Sequence, residues 1–199
     1  MQNKIRVKLP IIVEGRYDKS TLSSIIDGTV ITTGGFGIFN SEEKKALIRR
    51  LGENGIILLT DSDGGGRQIR SFISGLLPKE KIHHLYIPEI EGKEKRKRSR
   101  SKAGLLGVEG MSREVIERLF LPFSSDGEPP CEKHILTKTE FYLDGFSGRE
   151  NSSEKRDKLS LSLELPRGLS QNALIEAINL LGLYEKYKDF GKDGENDYG

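Results

Sequence analysis

Two short segments of the chain carry residues that could do chemistry together. One is Ile11-Ile12-Val13-Glu14-Gly15; the other is Ile56-Ile57-Leu58-Leu59-Thr60-Asp61-Ser62-Asp63-Gly64. Each is an apolar run that stops abruptly at acid and glycine, the pattern of a buried strand delivering carboxylates to the rim of a sheet. In open α/β sheets that rim is where ligands bind. Asp61 and Asp63 are two apart, so on an extended chain both side chains point the same way, about 6.5–7 Å apart along the backbone. With Glu14 from a second strand end, three carboxylates are expected to converge. Such a cluster repels itself unless a cation neutralises it, and an all-oxygen donor set suits Mg²⁺, or Mn²⁺ in its place, better than zinc. The competing use of these acids is helix capping, worth about 1 kcal/mol for an N-cap aspartate. Capping accounts for one aspartate. It does not account for Asp-x-Asp-Gly after one apolar run together with Glu-Gly after another.

The elements that must position these acids are readable from periodicity. Strand-like runs at Leu9–Val13, Thr29–Thr32, Ile56–Thr60 and Ile82–Ile87 alternate with segments of helical spacing, which predicts an α/β fold with a mainly parallel sheet flanked by helices. Leu22, Ile25 and Ile26 mark a helix after Glu14. Asn40 with Glu43 forms a capping box for a helix to about Leu51, closed by Gly52. Ile69, Phe72, Ile73, Leu76 and Leu77 mark a helix after the acidic glycine turn, ending at Pro78. A helix from about Ser112 to Phe120 stops at Pro122. Residues 1–123 thus form the larger domain, with SSDGEPP at 124–130 as the linker. A small, mainly helical domain is expected over 131–190, its clearest helix spanning Leu169 to Leu181 and ending at Gly182. Residues 191–199 read as a disordered tail.

Composition narrows the function classes. Up to Phe123 there are 22 Lys/Arg against 15 Asp/Glu, and the remainder has 10 against 15, so the first part is the polyanion binder. Its charge is concentrated in KEKRKRSRSK at Lys93–Lys102, where Lys93, Lys95, Arg96, Lys97, Arg98, Arg100 and Lys102 lie in one aperiodic stretch. Such a run is either a solvated loop or a holder of nucleic-acid backbone, setting affinity and salt dependence without reading bases. No apolar run approaches the roughly 20 residues that cross a bilayer, so no membrane partner is expected and a cytoplasmic location is. The single cysteine, Cys131, permits neither an internal disulfide nor a cysteine-rich zinc site.

The combination of Val13-Glu14-Gly15, Asp18 shortly after, and Asp61-Ser62-Asp63 resembles the Toprim domain, the metal-dependent fold of primases, topoisomerases and several nucleases. That resemblance implies Glu14 as general acid or base near the scissile phosphate, and Asp61 and Asp63 as ligands of Mg²⁺. It is similar in particular to the Toprim nuclease family that matures 5S ribosomal RNA, ribonuclease M-five. The matching residues are Ile12-Val13-Glu14-Gly15-Arg16-Tyr17-Asp18, the stretch from Thr60 to Arg70, Gly107-Val108-Glu109, and Leu165-Pro166-Arg167-Gly168-Leu169-Ser170 leading into Asn172–Asn179. The family implies an Mg²⁺-dependent endoribonuclease acting on structured precursor RNA, with the precursor of 5S ribosomal RNA as substrate and an RNA-bound ribosomal protein as a partner of the small domain. Two departures stand out: Arg67 occupies a place where the family usually has an acid, and Gly64-Gly65 replaces a bulkier proline-containing turn.

Several residues keep two readings. Arg67 and Arg70, three apart at the start of a helix, either grip phosphates beside the metal or are surface charge. Glu109 either joins the acids or caps the next helix. Gly34-Gly35-Phe36-Gly37 reads as a tight turn more readily than as a phosphate cradle. His83 and His84 face opposite ways in a strand and make a poor metal pair. Tyr184 and Tyr187 either stack on RNA bases or pack. Two other functions compete: a haloacid-dehalogenase-like phosphatase using Asp61 as nucleophile, and a non-catalytic RNA-binding ribosome-assembly factor.

Overall fold

The computed structural model describes residues 3–92, 104–125 and 134–194. Two compact units are present, Met1–Glu128 and Pro129–Gly199. The first is α/β and the second is helical.

The centre of the first unit is a four-stranded parallel sheet. It is built from β2 (Ile11–Val13), β4 (Val30–Thr32), β5 (Ile56–Leu59) and β6 (Ile82–Leu85) in the order β4-β2-β5-β6. Every residue of β2 and β5 is fully buried, which is why both read as unbroken apolar runs rather than alternating ones. Ile12, Ile56, Leu58 and Ile82 join Ile38, Ile48, Ile69 and Ile73 in one core on the side of α2 (Glu42–Leu51) and α3 (Gly64–Ser74). Strand alternation sends Ile11, Val13, Ile57 and Leu59 to the opposite face. That is the side of α1 (Arg16–Ile25) and α4 (Arg113–Phe120), which pack on one another. Two very short strands, β1 (Ile5–Arg6) and β3 (Ile26–Asp27), pair in parallel beside this sheet. The helix after Glu14 therefore ends at Ile25, and Ile26 enters β3.

Local chemistry corrects several expected boundaries. The N-cap of α2 is Ser41, whose Oγ accepts from the Lys44 N–H at 3.3 Å. Asn40 instead closes a 3₁₀ turn over Gly35–Asn40. Ser124 bridges to Val7, and the Ser125 N–H donates to the Arg6 carbonyl at 2.9 Å, so the chain stays tied to β1 through the first residues expected to be linker.

The second unit holds α5 (Lys138–Leu143), α6 (Ser152–Ser162), α7 (Gln171–Leu181) and α8 (Tyr184–Gly194). Gly182 ends α7 in the left-handed region at φ 66°, where glycine has no Cβ penalty. Residues 191–194 continue α8, so the expected tail does not begin at Gly191; 195–199 lie outside the described residues. Phe141, Phe146 and Tyr187 form the aromatic core, with ring centroids 5.1–6.0 Å apart. Tyr187 is buried and its hydroxyl donates to Asp144 at 2.6 Å, which removes it as a base-stacking surface. No described helix is long and apolar enough to cross a membrane.

Asn179 on α7 imitates a strand partner for the segment entering α5. Its Oδ1 accepts from the Leu136 N–H at 2.8 Å, and its Nδ2 donates to the Leu136 carbonyl at 3.0 Å. Leu136 is buried, so removing the amide leaves two backbone groups without their partner. Asn179→Ala is expected to lower unfolding stability by about 1–3 kcal/mol in denaturant titration.

Candidate functional site

The parallel register pairs Ile11 with Ile57 and Ile12 with Leu58. Carried to the strand ends, it sets Glu14 level with Thr60, one residue before Asp61. The two acidic ends thus lie on neighbouring strands, about 4.8 Å apart in the sheet, at the same rim.

Backbone groups orient the aspartate side chains and fix the main chain at Glu14. The Glu14 carbonyl accepts from the N–H groups of Gly34 at 3.0 Å and Gly35 at 3.2 Å and from the Thr33 hydroxyl at 3.1 Å. Gly34 and Gly35 reach those positions with φ of 74° and 62°. Their N–H groups are thus committed to Glu14 and build a turn rather than a phosphate cradle. Asp18 accepts from the Gly15 N–H at 2.8 Å, locking the first turn of α1 behind Glu14. Asp61 Oδ1 accepts from the Val108 N–H at 2.9 Å, tying the rim to a segment 47 residues away. Asp63 is the N-cap of α3, its Oδ1 accepting from the Gly66 N–H at 2.8 Å.

The capping use of these acids is therefore real at Asp63 and Asp18. The chain also does not stay extended through Asp61-Ser62-Asp63: it turns into α3, and the two aspartates engage different backbone groups. Among the described residues, no group of three or more His, Cys, Asp or Glu is arranged to hold a metal. The expected convergence of Glu14, Asp61 and Asp63 is not formed as a closed cluster among the described residues; Asp61 and Asp63 are turned onto the separate N–H groups of Val108 and Gly66. The donor chemistry fits a hard divalent ion, since all three are carboxylates at one rim.

Gly66 makes this turn possible. A Cβ there would lie 2.1 Å from the Asp61 carbonyl oxygen and 2.9 Å from its carbon, both backbone. The Thr60 hydroxyl donates to the Gly66 carbonyl at 3.2 Å and closes the same contact. Gly64, by contrast, has nothing within 4 Å of the corresponding position.

Arg70 departs from both readings of the sequence. Its guanidinium is drawn under the strand ends, where Nη1 donates to the Leu58 carbonyl at 3.3 Å and Nη2 to the Thr60 and Leu85 carbonyls at 3.5 and 2.8 Å. It also lies 3.0 Å from His84 Nδ1 and 4.3 Å from the centre of the Tyr86 ring. So placed, Arg70 is neither a phosphate grip nor loose surface charge; it buttresses the peptide bond preceding Asp61. No motif could have shown this, because its partners come from β5 and β6. Burial first, and then the charges of Arg70, Lys79 and His83, hold the His84 pKa down at about 4. His83, on the alternate position of β6, has its ring centre 5.3 Å from that of Phe123.

Arg67 is exposed, with Nη1 3.4 Å from the Ser62 carbonyl, on the outer side of the acidic turn. Glu109 does not cap α4. It lies in a 3₁₀ turn, Val108–Gly110, and Ser112 is the cap. The basic residues Lys93, Lys95, Arg96, Lys97, Arg98, Arg100 and Lys102 lie outside the described residues. Their flanks are fixed: Glu91 bridges antiparallel to Leu105, and the Gly92 N–H donates to the Gly104 carbonyl at 2.9 Å.

The Toprim domain family matches residues 10–90, the stretch that holds both acidic strand ends. "Ribonuclease M5" of Clostridium botulinum is 28% identical over 194 residues, covering 95% of this chain and 99% of that protein. The protein of the same name from Borreliella burgdorferi is 32% identical over 178 residues, covering 87% of each. That of Listeria monocytogenes is 31% identical over 157 residues, covering 78% of this chain and 76% of its own. A solved small TOPRIM domain protein from Bacillus stearothermophilus is 25% identical, covers 44% of this chain and 72% of that one, and superposes with a TM-score of 0.31.

Two measurements test the roles of Gly66 and His84. Gly66→Ala is expected to destabilise by about 1–3 kcal/mol or more, and Gly64→Ala to be neutral or stabilising by up to about 1 kcal/mol, both read from chemical unfolding. Because His84 is harder to protonate folded than unfolded, its contribution to stability is whole above about pH 6.5 and is lost as pH falls towards about 4. His84→Gln keeps an acceptor for Arg70 but cannot titrate; over that window wild type should lose on the order of 3 kcal/mol more than the variant.

Proposed function

The chain belongs to the ribonuclease M5 family, and from that footing we propose that it is a Mg²⁺-dependent endoribonuclease that hydrolyses phosphodiester bonds in structured precursor RNA, the 5S ribosomal RNA precursor foremost. The observation that carries this reading is the pairing of β2 with β5, which puts Glu14 and the Asp61–Asp63 turn on adjacent strand ends. Glu14, Asp61 and Asp63 are the residues that would hold the ion. When bound, Mg²⁺ supplies charge neutralisation at a phosphoryl oxygen and acidifies a water. The chain's own part is to orient Asp61 and Asp63 through backbone N–H groups, to brace the rim with Arg70, and to move a proton at the Glu14 carboxylate.

RNA backbone is assigned to the exposed Arg67 and to the run of Lys93, Lys95, Arg96, Lys97, Arg98, Arg100 and Lys102. The described residues on either side of the run are tied together at Glu91–Leu105 and Gly92–Gly104, and Val108, three residues beyond Leu105, donates to Asp61. The helical unit is assigned to the recognition of RNA or of an RNA-bound ribosomal protein.

Asparagine substitutions separate catalysis from capping. Asp63→Asn retains an N-cap and Asp61→Asn retains an acceptor for the Val108 N–H, yet each removes a charge. With Mg²⁺ and a 5S precursor transcript, with and without the ribosomal protein that binds it, wild type should cut at defined positions and EDTA should stop the cut. Loss of outer-shell partners of metal ligands already costs 10–100-fold, so each variant should cut about 100-fold more slowly or worse while unfolding like wild type. Wild-type rates in both would reduce these aspartates to caps and end the assignment. RNA binding without any cut would leave the non-catalytic binding factor.

A further inference from the structure

Phe36 is the least explained large side chain near the acidic rim. It stands in the Gly34-Gly35-Phe36-Gly37 turn after β4 and is 54% exposed. A single exposed aromatic is ordinary in itself. Three features set this one apart. Its ring is held in place: it stacks on Phe39 with centroids 5.6 Å apart and planes at 21°, and Phe39 in turn meets Phe72 edge-on at 4.7 Å. Its rim reaches the acidic turn, since a Cβ built on Gly65 would lie 3.7 Å from Phe36 Cζ and 3.4 Å from Asp63 Oδ1. The ground beside it is cleared, because Gly65 carries no side chain and Gly64 opens onto free space.

We propose that Phe36 is a stacking platform for one unpaired RNA base, seating the nucleotide next to the phosphodiester bond presented to the rim of Glu14, Asp61 and Asp63. The proposal rests on the nuclease reading above and adds to it a residue that positions substrate. Aromatic rings take up splayed bases in single-stranded RNA because every base has a π-face, so the platform tolerates any base and favours those that stack most strongly. A ring fixed from behind loses little freedom when a base settles on it. Cutting is thereby confined to a site whose neighbouring nucleotide can leave its helix.

The test pairs a protein change with an RNA change. Single abasic nucleotides are placed one at a time on either side of the cut in the 5S precursor transcript. Binding is measured without divalent ion, and KM and kcat with Mg²⁺. One abasic position should weaken wild-type binding about 5- to 150-fold, the range of base–aromatic stacking. Phe36→Ala should lose a similar factor on the intact transcript, mainly in KM, and lose nothing further at that position; Phe36→Trp should restore it. The abasic arm uses the unaltered protein, so it does not depend on how Phe36→Ala folds. Strictly multiplicative losses at every position, or wild-type affinity in Phe36→Ala, would overturn the platform. Coupling without cleavage would sink the nuclease reading and leave the platform standing, whereas cleavage without coupling would do the reverse.

Discussion

Everything at the rim depends on the register between β2 and β5. In a sheet, a slip of one residue sends every side chain to the other face. Here such a slip would pull Ile12 or Leu58 out of the core shared with α2 and α3, and would change which residue lies level with Glu14 at the rim. Full burial of both strands on both faces forbids it. The position of the acids is thus secured by the apolar packing of the strands that carry them.

What the register leaves loose, backbone donors tighten. Asp18, Asp61 and Asp63 each accept from a peptide N–H, and the Glu14 carbonyl gathers three donors. Capping does not disqualify these residues from the role proposed for them. A carboxylate held through one oxygen is aimed by that bond, and the same side chain can serve both ends.

The sheet was legible in the sequence because β2, β4 and β5 are apolar or β-branched runs with acid or glycine close by and β6 lies in the strand-like stretch Ile82–Ile87, and α3 and α7 because their apolar positions recur at helical spacing. The paired strands β1 and β3 were not, since two residues carry no period. The cap of α2 fell one residue from its expected place because Asn40 and Ser41 are both good caps, and the 3₁₀ turn ahead decides between them. At the site, the residue types and their strand ends could be read directly. The role of Arg70 could not, since it lies in carbonyls contributed by the ends of β5 and β6, nor could the bond from Val108 to Asp61, which spans 47 residues. Sequence spacing also implied that Asp61 and Asp63 act side by side, which holds only for an extended chain, and Gly66 bends it.

That bend has an electrostatic result. By letting α3 start directly on the Asp61 peptide, Gly66 aims the positive end of that helix's macrodipole at the acidic turn, while α1 starts two residues after Glu14 and aims its own at the same edge. Each end is equivalent to roughly half a positive elementary charge. The carboxylates therefore share partial neutralisation built into the backbone itself, and an incoming phosphate meets an edge whose fixed dipoles already favour anions.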